Sequence, residues 1–371
     1  MIYFDNAATG GFKPDSVISA VTAALNRCAN PGRSGHKLSV ACLERVYACR
    51  KLLSEFFGGY GYERVVFTKN CTEALNIAIL GTIKSGDEVV TTVAEHNSVL
   101  RPLELLKGRG VTVKYAPLNG EGDIDVCALA GLVTAKTKAV IVTLASNVTG
   151  TAPDIAEISR SIPEGCLLIC DGAQACGHIK IDMQKSGIDA LAVAGHKGML
   201  GIQGSGALIF SERFNPSPIT FGGTGSESQN LNMPDFYPDR LESGTLSYPA
   251  IISLAEGALY LSEHLEEEAQ KTLKMTEYLC KTFSQMHEVA LYSRPNPFGV
   301  VTIGFKSMQS ELAAHALSEM GICVRGGLHC APLMHKALNS DGLVRISLSA
   351  FNTSGECDEL LAAIRKLALT L

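Results

Sequence analysis

The sequence predicts an α/β fold built on a mainly parallel sheet of seven strands. Short apolar runs alternate with helical patterns over the first two thirds of the chain, which is typical of parallel strands joined by helices on both faces of the sheet. A segment rich in Gly, Ser and Pro at 216–247 ends this alternation, and helical patterns at 251–264 and 266–287 follow it. We therefore expect a large domain and then a smaller one. The predicted strands are 64–68, 88–93, 111–115, 138–144, 166–170, 190–194 and 207–210.

Composition limits the classes of function. With 371 residues, 46% of them hydrophobic and 19% charged, the chain suits a globular protein of two domains. A net charge of −5 gives no reason to expect nucleic acid or an anionic membrane as a partner. No apolar run reaches the roughly 18 residues of a membrane span, and no signal peptide is visible. Twelve scattered cysteines without a Cys-x-x-Cys motif fit a reducing cytoplasm better than a disulfide framework.

Lys197 is the centre of the functional prediction. It follows the strand of small apolar residues at 190–194, with His196 immediately before it. Apolar surroundings lower the pKa of an amine, so such a lysine is suited to form a Schiff base. Asp171 follows the preceding strand, and Gln174 lies three residues further on. Because a carboxylate at the pyridinium nitrogen keeps pyridoxal 5'-phosphate an electron sink, this lysine and this aspartate predict an enzyme that uses that cofactor.

Polar residues also follow the other strands at their carboxyl ends, where parallel sheets bind ligands. The turn before the helix at 74–82 offers free backbone N–H groups to a phosphate, although many such turns bind nothing. His96 is suited to stack on a pyridoxal ring and relay protons, or is an ordinary hydrogen-bonded histidine. Asn147 is suited to bind a substrate carboxylate or the ring hydroxyl, or is a turn residue. One crevice is expected to hold Thr72, Glu95, His96, Asn147, Asp171, His196 and Lys197.

A second reactive region surrounds Cys330. The glycine-rich loop at 324–332 places Arg325 and His329 near this cysteine, and such neighbours favour the nucleophilic thiolate. Two other interpretations stay open, namely zinc ligation by His329, Cys330 and His335, and an unreactive loop cysteine.

Arg345 interrupts the apolar strand pattern at 343–348. Since a buried arginine is costly without an anion, we expect a bidentate clamp on the carboxylate of an amino acid. Arg325 and His36, both in glycine-rich loops, are further candidates to bind the substrate.

These motifs resemble those of the cysteine desulfurase / selenocysteine lyase family, within the class V aminotransferase group of fold-type I pyridoxal-phosphate enzymes. The resemblance extends over nearly the whole chain. It implies a large cofactor-binding domain of residues 15–247 and a smaller α+β domain of residues 1–14 and 248–371. The matching segments are Tyr3-Phe4-Asp5-Asn6-Ala7-Ala8-Thr9, Thr72-Glu73-Ala74-Leu75-Asn76, Glu95-His96-Asn97, Ser146-Asn147-Val148-Thr149-Gly150, Asp171-Gly172-Ala173-Gln174, Gly195-His196-Lys197, Arg325-Gly326-Gly327-Leu328-His329-Cys330-Ala331 and Arg345-Ile346-Ser347.

The resemblance implies a role for each matching residue. Lys197 would be the Schiff-base lysine, Asp171 the partner of the pyridine nitrogen and Cys330 the sulfur acceptor. His96 would stack on the ring, and Gln174 would lie near the ring hydroxyl. The phosphate would be bound by the turn that contains Cys71 and Thr72, by His196, and by Thr245 of the other subunit of a homodimer. The substrate carboxylate would be held by Asn147 and Arg345.

This sequence departs from the family pattern at two positions. Ala194 stands where the family often has a phosphate-binding serine, and Leu328 replaces one of two histidines that often precede the cysteine. The first departure bears on cofactor binding and the second on the choice between sulfur and selenium. The cysteine loop resembles that of type II desulfurases, which implies a sulfur-acceptor protein as a partner.

The sequence therefore predicts a cytoplasmic, homodimeric cysteine desulfurase that removes sulfur from L-cysteine as a persulfide on Cys330 and releases L-alanine. Three alternatives remain. One is a selenocysteine lyase, which needs no protein thiol to cleave L-selenocysteine. The second is an aminotransferase or a kynureninase-like lyase, and the third is a non-catalytic carrier of sulfur or metal on the same scaffold.

Overall fold

The computed structural model describes residues 1–369 and combines one large sheet with two smaller ones. A 3-10 turn at Tyr62–Arg64 precedes the second strand. The other elements, in chain order, are β1 (Ile2–Tyr3), α1 (Asp15–Asn26), α2 (Lys37–Phe56), β2 (Val65–Thr68), α3 (Cys71–Leu80), β3 (Glu88–Thr92), α4 (Asn97–Lys107), β4 (Thr112–Ala116), α5 (Val126–Leu132), β5 (Thr137–Thr143), α6 (Ile155–Ser161), β6 (Leu167–Asp171), α7 (Met183–Ser186), β7 (Ala190–Ala194), β8 (Gly206–Phe210), α8 (Tyr248–Phe283), β9 (Val289–Leu291), β10 (Val300–Phe305), α9 (Ser310–Glu319), β11 (Ile322–Cys323), β12 (Arg325–Gly327), α10 (Pro332–Ala337), β13 (Leu343–Ser347) and α11 (Ser354–Leu369).

The large sheet has seven strands in the order β2-β8-β7-β6-β5-β3-β4. Five of them, from β7 to β4, run parallel to one another, while β8 is antiparallel to both of its neighbours. Each strand predicted from the sequence is present within one or two residues of its expected bounds. The prediction of a mainly parallel seven-stranded α/β sheet is therefore confirmed.

Burial explains why the middle strands are uniformly apolar. Every residue of β6 and of β7 is buried, because helices cover both faces of a parallel sheet and leave neither face to water. The small side chains of β7 let α3 pack close to the sheet, and Ala190, Ala192 and Ala194 belong to the same core cluster as Ala74 and Ile77 of that helix. The buried strand β7 ends at Ala194, three residues before Lys197.

A second part of the chain is built on an antiparallel sheet in the order β12-β13-β10-β9. The N-terminal strand β1 pairs in parallel with β11, and a β-bridge joins Asp5 to Ser347. The first residues of the chain therefore lie against its last third.

The helix α8 replaces the two helices expected at 251–264 and 266–287. It is one continuous helix of 36 residues, because nothing between the two predicted segments breaks a helix. Its first half, through Ile251 and Leu261, packs in the core of the large sheet, whereas Met275 and Phe283 pack in the core of the small one. The predicted domain boundary after residue 247 thus precedes a helix that both cores share.

No helix among residues 1–369 is long and apolar enough to cross a membrane.

Candidate active site

A pocket lies where the carboxyl ends of β5, β6 and β7 meet the N-termini of α3 and α4. It encloses about 470 Å³, including its open mouth. The sequence-predicted residues that line it are Cys71, Thr72, His96, Asn147, Asp171, Gln174, His196 and Lys197. This is the crevice expected at the carboxyl edge of a parallel sheet, but Glu95, which was also expected to lie in it, is fully buried and does not line it.

Lys197 extends into this pocket from the turn after β7. The turn is close-packed: a Cβ on Gly195 would lie 2.1 Å from Ser205 Oγ, and one on Gly198 would lie 2.6 Å from a backbone oxygen. Glycine is therefore required on both sides of the lysine. Burial lowers the pKa of Lys197, although Asp171 opposes that shift. Among the described residues Lys197 Nζ donates no hydrogen bond, so the amine is available to a ligand.

Asp171 is the acid of the pocket, and only 3% of it is exposed. Its Oδ1 accepts hydrogen bonds from the backbone N–H of Ala173 at 2.9 Å and from Cys71 Sγ at 3.3 Å. Within the described structure Oδ2 accepts none. The carboxylate therefore has one oxygen held by the protein and one directed to the pocket.

His96 lies at the N-terminus of α4, where its Nδ1 accepts a hydrogen bond from the backbone N–H of Ser98 at 3.0 Å. That bond requires an unprotonated Nδ1, so the neutral ring carries its proton on Nε2. Burial lowers the pKa of His96 to about 4. The pocket therefore contains a neutral imidazole at pH 7, which is suited to lie flat against an aromatic ring.

Two hydroxyl groups lie close together where α3 and α4 begin. Thr72 Oγ1 lies 2.8 Å from Ser98 Oγ, and the first backbone N–H groups of α3 have no acceptor inside that helix. His196 Nδ1 lies 3.1 Å from Thr9 Oγ1. Ala194 lines the same pocket without offering a hydroxyl. Sequence reasoning did not single out Ser98, although its place two residues after His96 was a usable signal.

Arg345 is 1% exposed and binds two protein groups. Its Nη1 donates to the carbonyl oxygen of Asn147 at 3.1 Å, and its Nη2 donates to Asp5 Oδ1 at 2.9 Å. Its Nε is buried without a hydrogen-bond acceptor in the described structure. The ion pair with Asp5, which sequence reasoning missed, stabilises the buried charge.

The Cys330 loop is held next to the pocket by hydrogen bonds. Asn147 Nδ2 donates to the carbonyl oxygen of His329 at 2.7 Å, and the backbone N–H of Asn97 donates to that of Cys330 at 2.7 Å. His329 and Cys330 both have positive φ, 50° and 57°, a conformation unusual for residues other than glycine. Cys330 is exposed, and Arg325 Nη2 lies 3.9 Å from its Sγ.

The zinc interpretation of this loop has no support. No group of three His, Cys, Asp or Glu side chains within residues 1–369 is arranged to hold a metal ion. His329 Nε2 instead lies 3.0 Å from the carbonyl oxygen of Leu343, and the His329 side chain is buried whereas Cys330 is exposed.

Two predicted residues lie away from the pocket. His36 is exposed at the N-terminus of α2, where its Nδ1 accepts from the backbone N–H of Ser39 at 3.2 Å. Thr245 is exposed in a separate cleft that Lys69 and Gly204 also line. The structure of the single chain does not bring either residue to Lys197.

Two other predicted positions lie at or beside the site. Leu328 is 46% exposed beside Cys330. Gln174 lines the pocket, and its Nε2 donates a hydrogen bond to the carbonyl oxygen of Ala7 at 3.0 Å.

The fold and the lysine–aspartate pocket at the edge of its sheet define an enzyme of the fold-type I pyridoxal-phosphate class. The chain belongs to the class V aminotransferase family, which it matches over residues 2–360.

Relatives and solved structures are similar over nearly the full length. The probable cysteine desulfurase of Methanothermobacter thermautotrophicus is 34% identical over 99% of this chain and 94% of the relative. That of Pyrococcus abyssi is 32% identical over 100% of this chain and 95% of the relative. The apo structure of a cysteine desulfurase from Thermococcus onnurineus NA1 superimposes with a TM-score of 0.91 and 30% identity, covering 100% of this chain and 95% of that one.

Proposed function

We propose that this protein is a pyridoxal-phosphate-dependent cysteine desulfurase, which transfers the sulfur of L-cysteine to Cys330 and releases L-alanine. The observation that carries the proposal is the hydrogen bond from Asn147 Nδ2 to the carbonyl oxygen of His329. It joins a pocket with a free lysine amine to a loop with an exposed thiol. A carbanion-forming site and a sulfur acceptor are the two parts that this reaction needs.

The residues of the pocket fit pyridoxal phosphate at both of its ends. The unpaired N–H groups at the start of α3 and the hydroxyls of Thr72 and Ser98 suit a phosphate. The free Oδ2 of Asp171 suits a protonated ring nitrogen, and Lys197 Nζ has no competing partner among the described residues. We propose that His96 stacks on the ring, that Gln174 lies near the ring hydroxyl and that His196 binds the phosphate. When bound, the cofactor supplies an electron sink for negative charge at the substrate Cα.

The protein side chains perform the remaining steps. Arg345 holds the substrate carboxylate together with Asn147, and Arg325 adds positive charge near the same region. Lys197, whose pKa burial lowers, takes the proton from the substrate Cα as a neutral amine and returns protons to the product. These groups orient the amino acid so that its Cβ–S bond faces the Cys330 loop.

The Cys330 thiolate then attacks the substrate sulfur. An S–S bond forms and the Cβ–S bond breaks, so the sulfur is oxidised to the sulfane level while Cβ is reduced and takes up a proton. The products are a persulfide on Cys330 and L-alanine, and no external oxidant or reductant is required.

We further propose a cytoplasmic homodimer that passes its sulfur to an acceptor protein. The twelve cysteines are all unpaired thiols, which suits a reducing compartment. Thr245 is exposed and outside the pocket of its own chain, so it is free to reach the phosphate of a second subunit. His36 is equally free to contact a substrate bound there.

The test is to measure persulfide and alanine together on the purified protein with L-cysteine and with L-selenocysteine. We expect one alanine for each sulfur removed from cysteine. Cys330→Ser should keep the bound cofactor and its visible absorption but release no alanine from cysteine, whereas Cys127→Ser, at another exposed cysteine, should behave as wild type. Alanine at the wild-type rate from Cys330→Ser would contradict the proposal. Keto acid in place of alanine would indicate transamination.

A further inference from the structure

A second cysteine, Cys71, lies in the wall of the pocket rather than on the loop. It is the first residue of α3 and only 7% exposed, and it lines the pocket together with Asp171 and Lys197. Its Sγ lies 3.3 Å from Asp171 Oδ1. This thiol therefore contacts the acid of the site directly.

In this contact the Cys71 thiol is the hydrogen-bond donor, because it keeps its proton. Burial raises the pKa of Cys71 well above its ordinary value, and the charge of Asp171 raises the pKa further. An S–H group beside a carboxylate is a hydrogen-bond donor. Cys71 is thus neutral, and it donates to Asp171 without competing with Lys197 as a base.

The contact also decides which oxygen of Asp171 reaches the ligand. Oδ1 accepts from Cys71 Sγ and from the backbone N–H of Ala173. Two donors on one oxygen fix the rotation of the carboxylate group about its Cβ–Cγ bond. Oδ2 is consequently held toward the pocket with no partner among the described residues.

We propose that Cys71 is a positioning residue for Asp171, whose Sγ–H holds Oδ1 so that Oδ2 meets the ring nitrogen of pyridoxal phosphate. This inference rests on the proposed function, since it concerns the same cofactor. It adds that the electronic state of the cofactor depends on a thiol that takes no part in sulfur transfer.

The chain supplies a matched control in Cys176. This cysteine is 1% exposed, and burial and the charge of Asp171 raise the pKa of its thiol too. Its Sγ donates no hydrogen bond to Asp171 within the described structure. Cys176→Ala therefore removes a buried thiol near the same carboxylate without removing a donor.

The experiment follows the visible absorption of the bound cofactor against pH, without substrate, in wild type, Cys71→Ala, Cys71→Ser and Cys176→Ala. If the carboxylate of Asp171 is held less firmly, it stabilises the protonated ring nitrogen less. The nitrogen that links Lys197 to the cofactor then becomes more basic. Cys71→Ala should raise the titration midpoint by about half a pH unit or more, as expected for loss of a hydrogen bond to a charged group. Cys71→Ser, which keeps a donor, should restore most of the wild-type midpoint, and Cys176→Ala should not move it.

An unchanged midpoint in Cys71→Ala, or equal shifts in Cys71→Ala and Cys176→Ala, would overturn the inference and leave the proposed function intact. A shift in Cys71→Ser as large as that in Cys71→Ala would also overturn it. A wild-type protein that shows no visible absorption with pyridoxal phosphate would instead overturn the proposed function, and this inference with it.

Discussion

Asn147 and His329, 182 positions apart in the sequence, are joined by a hydrogen bond of 2.7 Å from Nδ2 to the carbonyl oxygen. Both residues are buried, at 7% and 3% exposure. A buried carbonyl oxygen that loses its donor costs about 1–3 kcal/mol. The position of Cys330 therefore depends on the pocket as well as on its own loop.

Asn147→Ala should loosen the Cys330 loop in the absence of substrate. We expect amide hydrogen exchange within residues 326–331 to become faster by roughly 5–30-fold, which corresponds to about 1–2 kcal/mol of local stability. Gln184→Ala is the control, because its exposed side chain also donates to a carbonyl oxygen, that of Gly59, but far from this loop. Exchange in 326–331 that stays at the wild-type rate in Asn147→Ala would contradict the assigned anchor.

Lys197→Ala should abolish the visible absorption of bound pyridoxal phosphate, because the amine that joins the cofactor is removed. Lys13 is the control lysine: burial lowers its pKa to about 8, and its Nζ lies 3.4 Å from the carbonyl oxygen of His196. Lys13→Met should keep the absorption. The assignment is wrong if the spectrum is lost in Lys13→Met and retained in Lys197→Ala.

Arg345→Lys should raise the KM for cysteine by about 10–100-fold, because a lysine lacks the fork geometry of the guanidinium. The cofactor spectrum should stay as in wild type. Steady-state kinetics of alanine formation measures the change, with Arg213→Lys as the control, since Arg213 pairs with Asp189 outside the pocket. A KM within twofold of wild type would show that another group holds the carboxylate.

Glu95→Gln should lose less stability than wild type as the pH rises from 5 to 8. Glu95 is fully buried; its Oε1 accepts from Thr92 Oγ1 and from the backbone N–H of Thr143, while Oε2 has no partner. Burial raises the pKa of Glu95 to about 8. Between the ordinary glutamate pKa of about 4.3 and that value, the folded state holds a proton that the unfolded chain has lost, so stability falls as pH rises.

The glutamine keeps the accepting oxygen and cannot ionise, so it removes this loss. We expect the stability of Glu95→Gln relative to wild type to grow from pH 5 to pH 8 by on the order of 2 kcal/mol or more, measured by thermal unfolding at each pH. Glu104→Gln, at an exposed glutamate paired with Lys107, should leave the pH dependence unchanged. A difference between Glu95→Gln and wild type that is the same at pH 5 and pH 8 would show that Glu95 is ionised in the fold.

The sequence by itself determined the strands, their mainly parallel arrangement and the chemical groups of the pocket. Buried strands are continuous apolar runs, and their carboxyl ends must meet at one edge, so residues such as Asp171 and Lys197 could be placed together from local pattern alone. The motifs around Lys197 and Cys330 also indicated the family.

Only the tertiary structure decided which distant groups meet. The ion pair between Arg345 and Asp5, the bond from Asn147 to His329 and the contact of Cys71 with Asp171 each join residues at least 100 positions apart. The single helix α8 is likewise shared by two cores. Local patterns specify which face of an element is buried, but the partner of a buried polar group is set by how the elements pack.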